Sequence, residues 1–230
     1  MSNSNSNHKA HLLLTIIFCL LPALQTTVTI HWGWHTAVTY PALKTFMIII
    51  PVLVWWKSQR GRVSFGHYVG LKRTNILPGL GLGMLMGGII LSGYYLFFES
   101  VIDPRLLQEK VSSLGLRKYY WGMAVVVAVG NSLFEEYYWR GFIINELKRW
   151  FKSTLTLCIV GGFLFGLHHI CVLLPIFEWK WALVFTAGTM AAGAVWSWMR
   201  MRGYSILDCY TSHIIADFTI MWIGYDLIKK

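Results

Sequence analysis

The chain has 230 residues, of which 56% are hydrophobic and 13% are charged, and its formal net charge is +10. This composition is far from that of an average soluble domain, and it excludes a soluble enzyme with a single membrane anchor. The basic residues lie mainly in short loops between apolar segments, where they set topology and contact anionic lipid head groups. We therefore expect membrane lipids, and no nucleic acid, as partners.

Seven apolar segments approach the length of about 20 residues that a membrane-spanning helix needs. They lie at about 11–30, 40–56, 78–98, 119–147, 154–176, 181–199 and 204–226. They predict an all-α fold, a polytopic transmembrane bundle of about seven spans that forms one membrane domain over residues 1–230. The first segment is followed by no clear small-x-small cleavage site, so we expect a retained helix rather than a cleaved signal peptide.

The distribution of basic residues predicts the orientation of a multi-pass protein of the cell membrane. With the N-terminus in the cytoplasm, the cytoplasmic side holds eleven lysine and arginine residues and the other side holds seven. Because cytoplasmic loops are enriched in these residues, the bias predicts a cytoplasmic N-terminus. The longest loop on the other side, residues 99–118, mixes charges with leucines and predicts a short helix at the membrane surface.

The most informative feature is a group of ionisable residues inside the fourth apolar segment. Glu135, Glu136 and Arg140 lie within six residues of one another. A charged side chain at the centre of a membrane helix costs about 2.5–3.5 kcal/mol on insertion scales, so such residues almost always face the interior of a bundle. The group therefore predicts a buried polar site.

Two further polar groups lie at a similar depth, in the fifth and seventh segments. Counted from the cytoplasmic ends of their helices, Glu135, His169 and His213 lie about 18, 22 and 14 Å deep, at a rise of about 1.5 Å per residue. All of these depths fall near the middle of a hydrocarbon core of roughly 30 Å. We therefore predict that the three polar groups form one shared site.

Helical spacing suggests different roles for the two glutamates. Glu136 and Arg140 are four residues apart, so we predict an ion pair on one helix face. Glu135 is rotated by about 100° from this face and has no cation on its own helix. An unpaired carboxylate in apolar surroundings suits proton transfer, so Glu135 is the candidate general base.

The same spacing argument separates the two adjacent histidines of the fifth segment. His169 shares one helix face with Gly162, Phe165 and Gly166. The Gly-x-x-x-Gly spacing permits close contact between helices. This favours His169 over His168 as the histidine that faces the site.

In the seventh segment His213 and Asp217 are four residues apart, so we expect the carboxylate to orient the imidazole. A lone histidine in a membrane helix is more often a hydrogen-bonded packing residue than a catalyst, and an isolated ion pair is more often structural. The joint occurrence of carboxylates and imidazoles at one depth favours the catalytic interpretation instead.

In this order, the three groups resemble the motifs of the CAAX prenyl protease and bacteriocin-processing family of intramembrane endopeptidases. That family shows Glu-Glu-x-x-x-Arg, then Phe-x-x-x-His, then His-x-x-x-Asn/Asp. This chain has Glu135-Glu136-x-x-x-Arg140, Phe165-x-x-x-His169 and His213-x-x-x-Asp217. The resemblance covers about residues 119–220, which would form the protease core.

The resemblance implies hydrolysis of a peptide bond in a membrane-associated protein or peptide. Glu135 and His169 would activate a water molecule, and His213 with Asp217 would support the oxyanion. Asp217 stands where many members of the family have asparagine. Because an ionised aspartate cannot donate a hydrogen bond, we expect it to orient His213 rather than to contact the oxyanion.

Metal dependence stays open at this point. Glu135, His169 and His213 offer a carboxylate and two imidazoles, and such ligands can hold zinc with a position left for water. However, the chain has no His-Glu-x-x-His motif, and Arg140 beside the carboxylates disfavours a divalent cation. We therefore favour a metal-free mechanism without a cofactor, and keep a zinc-dependent protease as the alternative.

Two function classes outside proteolysis also fit polar residues at mid-membrane. A proton-coupled transporter would use the same residues as a proton relay, but the sequence shows no inverted repeat. A non-catalytic membrane adaptor or immunity protein would not require every motif position to be filled, as it is here.

Overall fold

The computed structural model describes residues 2–73 and 75–230, with side chains from His8 onward, and this part of the chain is helical without β-strands. The helices are α1 (Ser2–Thr26, continued by a π-helical turn, Thr27–His31), α2 (Thr36–Ser58), α3 (Phe65–Val69), α4 (Leu77–Gly93, continued by a π-helical turn, Tyr94–Phe98), α5 (Arg105–Ser113), α6, α7 (Thr154–Leu173), α8 (Trp179–Met201) and α9 (Ile206–Lys229). Helix α6 alternates between α-helical and π-helical segments: Tyr120–Val125, Val126–Asn131 (π), Ser132–Glu135, Glu136–Ile143 (π) and Ile144–Leu147.

The predicted all-α fold is confirmed, and so is a short helix, α5, in the loop after α4. Within the described residues, five helices are long and apolar enough to cross a membrane: α1 from His8 together with its π-helical turn, α2, α4 with its π-helical turn, α7 and α8. The other two long helices, α6 and α9, contain the predicted site residues except His169, which lies on α7. Their crossing of the membrane, and with it the total of about seven spans, stays a prediction.

Small residues set the two closest helix pairings. Helix α7 packs along α8, and a Cβ atom built at Gly162 would lie 2.5 Å from the Met190 carbonyl oxygen. Helix α4 packs along α9, and a Cβ atom at Gly83 would lie 2.7 Å from the Ile215 side chain. Gly162 is required because it faces the backbone of α8, and Gly83 allows the backbone of α9 to approach closely.

The start of α9 is fixed by a capping box, which determines where His213 lies along the helix. The Asp208 carboxylate accepts from the Ser205 backbone N–H at 2.9 Å, and the Ser205 hydroxyl accepts from the Leu207 N–H at 3.3 Å. These bonds satisfy backbone donors that the first turn leaves free. The Ile206 N–H in turn donates to the Gly70 carbonyl at 3.1 Å, which ties α9 to the loop after α3.

The loops after α2, α6 and α8 lie together on one face of the bundle. Lys72 Nζ donates to the Gly203 carbonyl at 3.0 Å, and residues 58–62 and 145–152 contribute side chains to one cleft. These are the loops that the charge distribution assigns to the cytoplasm.

The opposite face contains the loop after α4 and the end of α9. Lys230 Nζ lies 3.2 Å from a Glu99 carboxylate oxygen, and the Gln108 amide donates to the Leu227 carbonyl at 3.1 Å. The loop after α4 and the loops after α2, α6 and α8 therefore lie at opposite ends of α9, and the alternation of the remaining loops stays a prediction.

Candidate active site

Helix α6 carries three ionisable side chains into the core. Glu135 is 6% exposed, and Glu136 and Arg140 are fully buried. The segment from Glu136 to Ile143 is π-helical, a wide turn that is rare in proteins and frequent at functional sites. The predicted burial of this group is confirmed.

The predicted ion pair between Glu136 and Arg140 is present, with 3.1 Å between Oε1 and Nη1. Arg140 Nη2 also donates to the Gly193 carbonyl on α8 at 3.0 Å, and the guanidinium lies 4.3 Å from the centre of the Phe165 ring. Position 193 must be glycine because an added Cβ would lie 2.8 Å from that ring. The arginine therefore joins α6, α7 and α8 around one buried charge.

His213 on α9 connects the two glutamates of α6. Its Nδ1 lies 2.9 Å from Glu136 Oε1, and since an ionised carboxylate only accepts, the imidazole is the donor. Its Nε2 lies 3.7 Å from Glu135 Oε2. The ring stacks on Trp196 with 4.1 Å between the ring centres, so both its position and its rotation are constrained.

Asp217 lies near His213 as predicted, with 3.6 Å between Oδ1 and Nε2, but it is not the carboxylate that holds the imidazole most closely. That contact belongs to Glu136, on another helix, and spacing along α9 cannot reveal it. The Asp217 carboxylate accepts instead from the Ser132 hydroxyl at 2.5 Å. The expectation is corrected in one respect: Glu136, and not Asp217, makes the shortest carboxylate contact with His213, and the orienting role of Asp217 stays a prediction.

The histidines of α7 require a second correction. His168, not His169, is the more deeply buried, with 4% exposure; its Nε2 lies 3.4 Å from Glu135 Oε1 and its ring stacks on Trp139. His169 lies beside it, with Nδ1 3.0 Å from the Phe165 carbonyl. The preference for His169 over His168 is therefore corrected: His168 contacts Glu135, and the glycine face that suggested the preference is covered by α8.

A lysine that the sequence reasoning missed approaches the site from α2. Lys44 Nζ donates to Asn131 Oδ1 at 2.8 Å, and Asn131 Nδ2 donates to Glu135 Oε1 at 2.9 Å. The ammonium group also lies 3.7 Å from the centre of the Phe134 ring. A signal for it exists in the sequence: Lys44 and Arg140 are the two basic residues that fall inside predicted spans.

The predicted convergence of the three polar groups is confirmed geometrically. Glu135 contacts Asn131 of its own helix, His168 of α7 and His213 of α9 within 3.7 Å. A buried carboxylate between two imidazoles can take a proton from a water molecule and pass it on. Neighbouring imidazole N–H groups can stabilise negative charge that develops on a reacting carbonyl.

The residues present also allow a metal-binding interpretation, with a ligand set that differs from the predicted one. Ligand atoms of Glu135, His168 and His169 lie within 4.8 Å of one another. Zinc bonds of about 2.1 Å in a tetrahedral site place ligand atoms roughly 3.4 Å apart. These side chains would therefore have to move closer together to bind zinc, and His168 would replace the predicted His213.

The fold and the site define a helical membrane protein with a buried carboxylate–histidine centre suited to activating water. Residues 117–219 match the family model of the Rce1-like proteins, described as type II CAAX prenyl endopeptidase Rce1-like. The matched residues begin just before α6 and include all the predicted site residues. The family indicated by the motifs is thus confirmed over this segment, and the match supports a peptidase. Searches of curated proteins and of solved structures gave no significant match.

Proposed function

We propose that this protein is an intramembrane endopeptidase that hydrolyses a peptide bond of a membrane-associated protein or peptide. The observation that carries the proposal is the contact of Glu135 with His168 and His213 at 3.4 and 3.7 Å, inside the segment that matches an endopeptidase family. The protein would be a multi-pass component of the cell membrane with its N-terminus in the cytoplasm.

In the proposed mechanism, Glu135 takes a proton from water as the water oxygen attacks the scissile carbonyl carbon. His169 is suited to hold that water: with Nδ1–H donating to the Phe165 carbonyl at 3.0 Å, Nε2 is left with a lone pair that accepts from water. When the C–N bond breaks, the proton on Glu135 passes to the leaving amine. The products are a carboxylic acid and an amine, and transfer of the acid proton to the amine gives a carboxylate and an ammonium, so atoms and charge balance.

The remaining side chains hold this centre together. His168 would fix Glu135 from α7, while Asn131 and Lys44 fix it from the other side. His213, held by Glu136 at 2.9 Å, would donate from Nε2 to the oxyanion when it carries both ring protons. Asp217 would support His213 from the next turn. Arg140 would keep Glu136 in place.

A zinc-dependent peptidase is the second candidate, favoured by the ligand atoms of Glu135, His168 and His169 lying within 4.8 Å. Zinc bound there would supply Lewis-acid activation of water. The two candidates differ in a measurable way. Turnover that survives strong chelators supports the metal-free enzyme, and chelator-sensitive turnover restored by zinc supports the metalloenzyme.

The test of the proposed function uses the purified protein in nanodiscs with fluorogenic membrane-anchored peptides, prenylated and unprenylated at a C-terminal cysteine. Cleavage that is lost in Glu135→Gln but retained in Glu109→Gln, an exposed carboxylate on α5, supports the proposal. Glu135→Gln protein, co-purified with trapped substrate from membranes, would then identify what is cleaved. Equal turnover by the two variants would exclude Glu135 as the general base.

A further inference from the structure

A polar cleft lies on the face formed by the loops after α2, α6 and α8, away from the carboxylate–histidine centre. Its volume is about 520 Å³. Its lining comes from three places in the chain and is polar throughout: Ser58, Gln59, Arg62, Tyr68, Asn145, Glu146, Lys148, Arg149 and Lys152. Neither the proposed mechanism nor the family motifs use these residues.

The cleft has an excess of positive charge. Arg62, Lys148, Arg149 and Lys152 contribute four cations, and Glu146 contributes the one carboxylate of the lining. That carboxylate is already engaged, because it lies 3.3 Å from Arg149 Nη2 and accepts from the Tyr68 hydroxyl at 3.4 Å. Three cations of the cleft are therefore left without a carboxylate in its lining.

Basic residues around the cleft add to its positive charge. Burial, together with the nearby cations Arg200 and Lys72, lowers the pKa of Lys148 below its usual value. Arg200 is 8% exposed, and its Nε has no hydrogen-bond partner among the described residues. Like charges that line one cleft repel one another, and a bound anion would reduce that repulsion.

The position of the cleft indicates which anion is available. It lies where α2 and α6 end, and the last two turns of α2 contain Trp55 and the exposed Trp56. Aromatic side chains at helix ends mark the level of the lipid head groups. Basic pockets between helices at this level bind phosphate-bearing head groups, and anionic lipids are concentrated in the cytoplasmic leaflet.

We propose that this cleft is a binding site for the phosphate-bearing head group of an anionic phospholipid. The head group would lie between Arg62, from the loop after α2, and Lys148 and Lys152, from the loop after α6. A bound lipid would link these two loops and neutralise their mutual repulsion. The site is independent of the proposed peptidase activity.

The experiment compares two double variants that remove the same charge from the same face. Arg62→Gln with Lys152→Gln removes two cations of the cleft, and neither side chain has a carboxylate partner among the described residues. Lys57→Gln with Arg60→Gln removes two exposed cations nearby that do not line it. Binding of a fluorescent phosphatidylglycerol is measured on the whole protein in phosphatidylcholine nanodiscs, with native mass spectrometry counting retained lipids.

The cleft variant should bind phosphatidylglycerol about 30-fold more weakly, as expected for two contacting cations. The control should change less than about threefold, because charges outside contact distance are screened. Arg62→Lys with Lys152→Arg, which keeps both charges, should retain most of the binding. Equal losses in the two double variants would show diffuse surface attraction instead of a site. Displacement of the lipid by inorganic phosphate at an equal concentration would overturn the lipid assignment in favour of a soluble anion.

Discussion

Removal of Arg140 should destabilise the protein strongly, and removal of Glu136 as well should reverse part of the loss. The two side chains are fully buried and 3.1 Å apart. Arg140→Met leaves the Glu136 carboxylate with the His213 imidazole as its remaining hydrogen-bond partner among the described residues. An uncompensated buried charge costs about 3–5 kcal/mol. Since Glu136→Gln removes that charge, the double variant should recover about 2–3 kcal/mol relative to the sum of the single losses.

The free energy of unfolding can be measured in mixed micelles of dodecyl maltoside and dodecyl sulfate, with tryptophan fluorescence as the probe. The i,i+3 pair of Glu146 and Arg149 near the end of α6 is the internal control. The arginine side chain of this pair is 35% exposed, so the coupling energy from its double-mutant cycle should stay below about 1 kcal/mol. The argument for a buried pair fails if the loss of stability in the double variant equals the sum of the two single losses to within about 0.5 kcal/mol, because the two residues then do not stabilise each other.

Three further predictions concern the site itself. Glu135→Gln should lower kcat by at least about 100-fold, the usual contribution of a general base, with unchanged folding by circular dichroism; wild-type turnover would remove the assignment. His169→Ala should lower kcat at least about tenfold more than His168→Gln, because an amide donor can replace the contact of His168 with Glu135; the opposite ranking would make His168 the water ligand. Lys44→Met should lower kcat with little change in KM and shift the pH profile, whereas a purely structural lysine would change expression alone.

The helical bundle was predictable because apolar length is a strong signal. The segments predicted at 40–56 and 154–176 correspond closely to Thr36–Ser58 and Thr154–Leu173. The depth of a residue along its helix could also be predicted from the sequence, because the rise per residue is nearly constant. That is why the convergence of Glu135 and His213 could be inferred from residue numbers.

Rotation about each helix axis was harder to predict. The spacing of Gly162 and Gly166 correctly identified a packed face, but that face contacts Met190 of α8. The polar site lies along the neighbouring face, where His168 is more buried than His169. A glycine pattern shows where a helix backbone approaches another, and it does not distinguish a structural partner from a catalytic one.

The contacts between helices could not be predicted from the sequence. The hydrogen bond from His213 to Glu136 joins residues 77 positions apart, and the chain from Lys44 through Asn131 to Glu135 begins 87 positions before Asn131. Both depend on which helices are neighbours. The single sequence shows that these residues are costly in a membrane, but it does not identify their partners.

The π-helical segment from Glu136 to Ile143 makes the site sensitive to the number of residues in α6 as well as to their identity. A π-helical turn holds more residues than an α-helical turn, so deletion of one residue there would favour a return to α-helical winding. The parts of the helix on either side would then change their rotation relative to each other, because each residue turns the chain by a different angle in the two windings. Glu135 and the end of α6 could no longer both meet their present neighbours, although no motif residue had been replaced. A deletion at half-buried Tyr137 would thus keep Glu135, Glu136 and Arg140 but change their spacing, and we expect this change alone to disrupt the centre.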